Sequence, residues 1–189
     1  LRQNEIEDLE RVVAAGATFH TDKITEHGYF ATYVEIAADI GPRGRVCEIG
    51  IWKGESLRMW QALFPLGEVT GVDFNVDGRV WPDGTRQVVA AQDDPRLPEL
   101  LGPGQYDLIV DDASHMGPQT RACFGMLWPL VAPGGYYVIE DWFMALERPD
   151  GDYLAASVTD LARLLYPRDA ECDEVRLRYG MAIARKRRS

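Results

Sequence analysis

The sequence is poor in cysteine and in positive charge, and it lacks a long apolar run. Three cysteines, Cys47, Cys123 and Cys172, stand in 189 residues with no CxxC or other zinc-type spacing, so neither a zinc knuckle nor a disulfide framework organises the fold. An odd count with no secretory segment suits a reducing cytoplasm, the expected location. Twenty Lys and Arg face thirty Asp and Glu, a formal charge of −10, which argues against a nucleic-acid backbone as partner. The basic run Arg185-Lys186-Arg187-Arg188 reads as a solvated tail. No apolar stretch approaches the roughly 18 residues of a membrane span. GxGxxG and GxxxxGK[ST] are missing as well, which removes the standard dinucleotide turn and the phosphate loop.

What is present suits one α/β domain spanning residues 1–189, 46% hydrophobic and 26% charged, long enough for a substantial core. Residues 1–40 are expected to form N-terminal helices and a lid-like loop. Ile6, Leu9, Val12 and Val13 recur at helical spacing. A polar stretch from Thr18 to His27 reads as loop, and Tyr29–Ile40 as a second helix stopped by Pro42. Five short apolar runs follow: Arg45–Ile49, Val69–Val72, Arg86–Ala91, Asp107–Val110 and Tyr136–Ile139. Helical segments near 55–64, 96–101, 119–131 and 154–165 separate or follow them. Alternation of this kind predicts a Rossmann-like, mainly parallel sheet flanked by helices. Glu174–Tyr179 and Met181–Arg185, separated by Gly180, predict a C-terminal antiparallel hairpin at one edge.

In an open α/β sheet, ligands bind beyond the carboxyl ends of the strands, and acidic residues cluster there. The first strand ends in Glu48-Ile49-Gly50 and runs through Trp52 to Gly54 and Ser56. Glycine permits a tight turn and a close backbone approach, and Asp73 in register favours that over Gly50 and Gly54 merely shaping the turn. Glu48 would repel a pyrophosphate and suits a cationic amino group. Asp73, which closes the second strand, can accept hydrogen bonds from both hydroxyls of a ribose. Asp93, after the third strand, can meet a base amino group; Asp94-Pro95 reads as a helix cap. The fourth and fifth strands end in adjacent acids, Asp111-Asp112 and Glu140-Asp141, and His115 lies three residues beyond the first pair. Asp111 caps the next helix or faces the sheet interior. Trp142 and Phe143 either wall a pocket or pack the core; Tyr29 and Tyr33 read as helix-face packing.

EIGIWKG after the first strand, GVD after the second and PGG before the fifth resemble a class I S-adenosylmethionine-dependent methyltransferase. More narrowly, TDKITEHGY, SLRMW, YDLIVDDASH and GGYYVIEDW are similar to metal-dependent sugar O-methyltransferases of natural-product pathways, the mycinamicin and tylosin type, and to the cephalosporin-hydroxylase-like family. The resemblance covers residues 18–185. It implies S-adenosylmethionine at Glu48, Gly50, Gly54, Ser56, Asp73 and Asp93. It implies magnesium at Asp112, Glu140 and Asp141, and His115 as general base beside Asp112. Thr21-Asp22-Lys23 would fold over cofactor or substrate. The implied acceptor is a glycoside or other hydroxylated natural product, and the implied assembly a homo-oligomer, with no nucleic-acid or membrane partner. Two departures stand out: Trp52 in the glycine turn, and a chain short for the family, which leaves substrate recognition to loops or a neighbouring subunit.

Two other classes fit less well. Trp52 and the terminal hairpin disfavour a nicotinamide-dependent Rossmann oxidoreductase. The other class is a cofactor-binding protein without catalysis, acting as a partner subunit.

Overall fold

A computed structural model describes residues 19–78, 81–144, 162 and 171–188. The helix expected over residues 1–15 lies outside them, and so does nearly all of the one expected near 154–165.

Seven strands form one sheet: β1 (Arg45–Ile49), β2 (Glu68–Asp73), β3 (Arg86–Val89), β4 (Tyr106–Asp111), β5 (Val131–Glu140), β6 (Cys172–Arg178) and β7 (Met181–Lys186). Their order is β3-β2-β1-β4-β5-β7-β6. The first five run parallel, while β7 is antiparallel to both neighbours. The chain moves outward from β1 through β2 to β3, then returns to the other side of β1 as β4. That reversal opens a crevice at the carboxyl ends of β1 and β4, where loops leave in opposite directions.

Strand alternation sorts side chains onto two apolar layers. Cys47, Ile49, Ile109, Tyr137 and Ile139 belong to one. Val46, Leu108, Val110, Tyr136 and Val138 belong to the other. Of the helices, α1 (Asp22–Thr25) is a single turn inside the stretch expected to be loop. Next come α2 (Phe30–Ile40), α3 (Glu55–Leu63), α4 (Leu97–Leu101) and α5 (Gly117–Leu127). Helix α2 buries Tyr33, Ile36 and Ala37, an i, i+3, i+4 face. It stops at Gly41, whose φ of 90° leaves the helical region. Helix α3 begins after Gly54 at φ 82° and buries Leu57, Met59, Trp60 and Leu63.

The strand positions match the sequence expectation, with different ends. β3 stops at Val89 rather than Ala91, with Ala90 N donating the last bond of the pairing to the Asp73 carbonyl. β5 begins at Val131, upstream of the Pro-Gly-Gly turn, because Val131 already pairs with Tyr106 before the register shifts. No helix among the described residues is long and apolar enough to cross a membrane.

Candidate active site

Gly50 makes the first turn of the site possible. Its φ is +83°, and a Cβ there would collide with the backbone of Asp112 and Ala113. The loops after β1 and β4 can therefore touch only at glycine. Asp112 N donates to the Ile49 carbonyl at 2.9 Å and binds the two strand ends together.

A cavity of about 560 Å³ opens beyond the strand ends. Gly50, Asp73, Phe74 and Asp93 line one half; Asp112, His115 and Asp141 line the other. Three non-glycine residues among those described have positive φ: Trp52 at 44°, His115 at 57° and Asp141 at 54°. All three line this cavity. Left-handed backbone costs an L residue about 1–3 kcal/mol and tends to gather at functional sites. Here it turns His115 and Asp141 toward each other, with His115 Nε2 3.9 Å from Asp141 Oδ2.

In the first half, Asp73 is buried and held in place. Ile51 N donates to its Oδ2 at 3.2 Å and Asn75 N to its Oδ1 at 3.0 Å. Glu48 lies deeper and does not line the large cavity. Ser56 Oγ donates to its Oε2 at 2.6 Å, and Lys23 Nζ lies 3.2 Å from its Oε1. Burial pushes the Glu48 carboxyl above its ordinary range, with Lys23 and Ser56 pulling the other way. Gly54 shapes the turn, its N–H donating to the Ile51 carbonyl. Ser56, Lys23 and His20 line a second cavity of about 230 Å³. Gly50, Trp52, Asp22 and Asp112 border both.

In the second half, parity along the strands separates each pair of acids. Asp111 shares a face with Ile109 and is buried beneath α5. Gln92 Nε2 donates to its Oδ1 at 2.6 Å, and Gln92 Oε1 accepts from Ser114 Oγ at 2.6 Å. Burial and the neighbouring Asp112 push the Asp111 carboxyl up to about 8. Glu140 follows Tyr136 and Val138 onto the opposite face. It is 2% exposed, accepts from Lys23 Nζ at 2.8 Å, and takes the Tyr33 hydroxyl on its other oxygen. Asp112 and Asp141 lie just past the strand ends and reach the cavity. Lys23 Nζ is 2.5 Å from Asp112 Oδ2, and the Tyr29 hydroxyl donates to Asp141 Oδ1 at 2.5 Å.

Asp112, His115 and Asp141 each offer one ligand atom, all within 4.8 Å of one another. Two carboxylate oxygens with an imidazole at their edge suit a hard divalent cation. Glu140 meets this group through Lys23, which bridges it to Asp112. Burial pulls the Lys23 ammonium down, but Asp112, Glu140 and Glu48 outweigh it and hold it well above its ordinary value.

Comparison with known proteins identifies the family. A family model described as a methyltransferase domain matches residues 47–142, from β1 through both acid pairs. The chain belongs to this methyltransferase family. Among curated relatives, the 8-demethyl-8-alpha-L-rhamnosyl tetracenomycin-C 2'-O-methyltransferase of Streptomyces olivaceus is 35% identical over 161 residues, 77% of this chain and 42% of that one. The mycinamicin VI 2''-O-methyltransferase of Micromonospora griseorubida is 37% identical over 110 residues, 53% of this chain and 28% of that one. The chain therefore spans less than half the length of these relatives. A solved structure of the MycE methyltransferase from the mycinamycin biosynthetic pathway, in complex with Mg, SAH and mycinamycin VI, superposes with a TM-score of 0.78 at 25% identity. It covers 96% of this chain and 55% of that one.

Of the residues expected from the sequence, Gly50, Asp73, Asp93, Asp112, His115 and Asp141 line one cavity, whereas Glu48, Gly54, Ser56 and Glu140 do not line it. Tyr29 and Tyr33, read as helix-face packing, instead bring their hydroxyls to Asp141 and Glu140. A phenol on an apolar helix face needs a partner for its hydroxyl, and that signal could have pointed both tyrosines at the acids. Trp142 packs partly against the core, and its Nε1 donates to the Arg178 carbonyl; Phe143 stacks on Tyr179.

Proposed function

We propose that this methyltransferase domain moves a methyl group from S-adenosylmethionine to a hydroxyl of a sugar or other hydroxylated natural product, assisted by a divalent cation such as magnesium. One observation carries the reading: a single cavity runs from Asp73 and Asp93 to Asp112, His115 and Asp141. The named activities of the relatives, which are sugar O-methylations, support the acceptor class.

Asp73, preset by Ile51 N and Asn75 N, would accept hydrogen bonds from the ribose hydroxyls. Asp93 would face the adenine edge, and the backbone at Gly50 would lie against the amino-acid part. Glu48, bonded to Ser56, would back that end from beneath without lining the cavity. Asp112, Asp141 and Glu140 are proposed as the carboxylates around the cation. When bound, the cation would hold the acceptor oxygen and lower its pKa. His115 then takes the hydroxyl proton on Nε2. Methyl transfer breaks the carbon–sulfur bond of the sulfonium and forms the carbon–oxygen bond of a methyl ether. General-base assistance of this kind is worth about 10²–10⁴-fold, and alignment of the reacting atoms adds to it.

The test is a mass-spectrometric methylation assay on a panel of deoxysugar-bearing compounds, with and without chelator. Turnover that stops with chelator and returns with magnesium is expected. His115→Ala should lower turnover by about 10²–10⁴-fold while binding of S-adenosylhomocysteine, followed by calorimetry, stays unchanged. Full activity of this variant would remove His115 as base, and full activity in chelator would remove the cation.

A further inference from the structure

One segment, residues 21–33, supplies a donor to every carboxylate of the proposed cation site. Lys23 Nζ reaches Asp112 and Glu140, the Tyr29 hydroxyl reaches Asp141, and the Tyr33 hydroxyl reaches Glu140. Lys23 is 1% exposed. Its ammonium lies between Asp112 and Glu140, two of the three carboxylates a divalent cation would take. A second cation drawing on the same oxygens would meet strong repulsion inside the protein.

Two further observations show where the ammonium can go. Glu48 Oε1 is buried and lies 3.2 Å from Lys23 Nζ, an ion pair already in place. The 230 Å³ cavity, lined by Lys23, Ser56 and Asp112, adjoins this position. A short shift of the lysine tip would exchange Asp112 and Glu140 for Glu48, and the ammonium would keep a carboxylate partner throughout.

We propose that Lys23 is the counter-cation of the metal-free site, and that a divalent cation displaces it from Asp112 and Glu140 toward Glu48. Lys23 thereby sets the affinity of the site for divalent cations, and metal entry repositions the Thr21–Tyr29 segment that borders the cavity. The inference rests on the cation-assisted reading above.

Mn2+ alone, titrated into the full chain by calorimetry and followed by electron paramagnetic resonance, tests it. Lys23→Met keeps the length of the side chain and removes its charge. This variant is expected to bind Mn2+ at least about tenfold more tightly than wild type, because the competing charge is gone. Glu48→Gln removes the acceptor of the displaced ammonium and is expected to weaken Mn2+ binding. Wild-type binding with an equal or weaker Lys23→Met would overturn the inference and leave the cation-assisted reading standing. Binding by Lys23→Met without binding by wild type supports it. Absence of binding in both proteins overturns both readings. If Lys23→Met fails to fold, hydrogen exchange of wild-type residues 21–29 decides: faster exchange with Mn2+ supports displacement, and unchanged exchange refutes it.

Discussion

The pairs Asp111-Asp112 and Glu140-Asp141 are written alike and sit at the ends of neighbouring parallel strands. In each, the second acid passes the strand end and reaches the cavity, while the first is buried. The two buried acids nevertheless meet opposite environments. Asp111 lies under α5 among neutral partners, Gln92 and Tyr137. Glu140 lies on the α2 face against a cation, Lys23, and a phenol, Tyr33. Burial and the neighbouring Asp112 raise both carboxyls, but at Glu140 a cation, Lys23, and the Tyr33 hydroxyl oppose the rise, whereas at Asp111 only neutral partners do. Register decides which partners each meets: Asp111 is opposite Ile139, so Glu140, one residue on, points the other way.

The largest stability effect that sharpens this contrast is loss of the cation. Lys23→Ala would leave Glu140 and Glu48 buried without it, a change that typically costs about 3–5 kcal/mol. Urea unfolding should show the midpoint falling accordingly. A shift below about 1 kcal/mol would mean that Glu140 is buried as Asp111 is, and the contrast would fail. Tyr33→Phe removes one hydrogen bond to Glu140 and should cost about 1.5–3 kcal/mol, the range for hydrogen bonds to charged groups. Thermal unfolding beside Tyr136→Phe, whose hydroxyl donates to the surface residue Asp39 at 2.8 Å, would separate the buried contact from the exposed one.

The smallest effect belongs to Asp111→Asn near pH 5, where the wild-type group, its carboxyl raised to about 8, is still protonated. The expected cost there is below about 1 kcal/mol. The sign changes with pH. Because the folded-state value is raised, the native state holds a proton that the unfolded chain has released. Stability is therefore fully present below the unfolded value near 4 and falls as pH rises toward about 8. Asp111→Asn should remove this decline, so that the variant gains on wild type between pH 5 and 8. Parallel pH profiles for the two proteins would show that Asp111 is ionised when folded.

Much of the fold could be read in advance because its signals are local. Apolar runs with helical spacers between them identify the strands, and Pro42 and Gly54 mark a helix end and a helix start. Acids after β2, β3, β4 and β5 fall at the ligand end because parallel strands share their direction. The facing of Glu140 was harder to read. It depends on where β5 ends, and a shift of one residue flips every side chain. Glu48, expected to meet a ligand amino group, is held by Ser56 and Lys23 within the site.

By itself the sequence determined a mainly parallel sheet flanked by helices, the ligand end of its strands and the chemical types gathered there, because each follows from short-range pattern and the direction of the strands; the strand order, with its reversal at β1 and β4, came from the tertiary structure. Only the tertiary structure decided that Lys23 sits among Glu48, Asp112 and Glu140. Its partners lie 89 residues away at Asp112 and 117 residues away at Glu140, and no local periodicity encodes such a meeting. It arises because α1 and α2 close over the ends of β1, β4 and β5, where buried carboxylates draw in the one ammonium that the covering segment brings within reach.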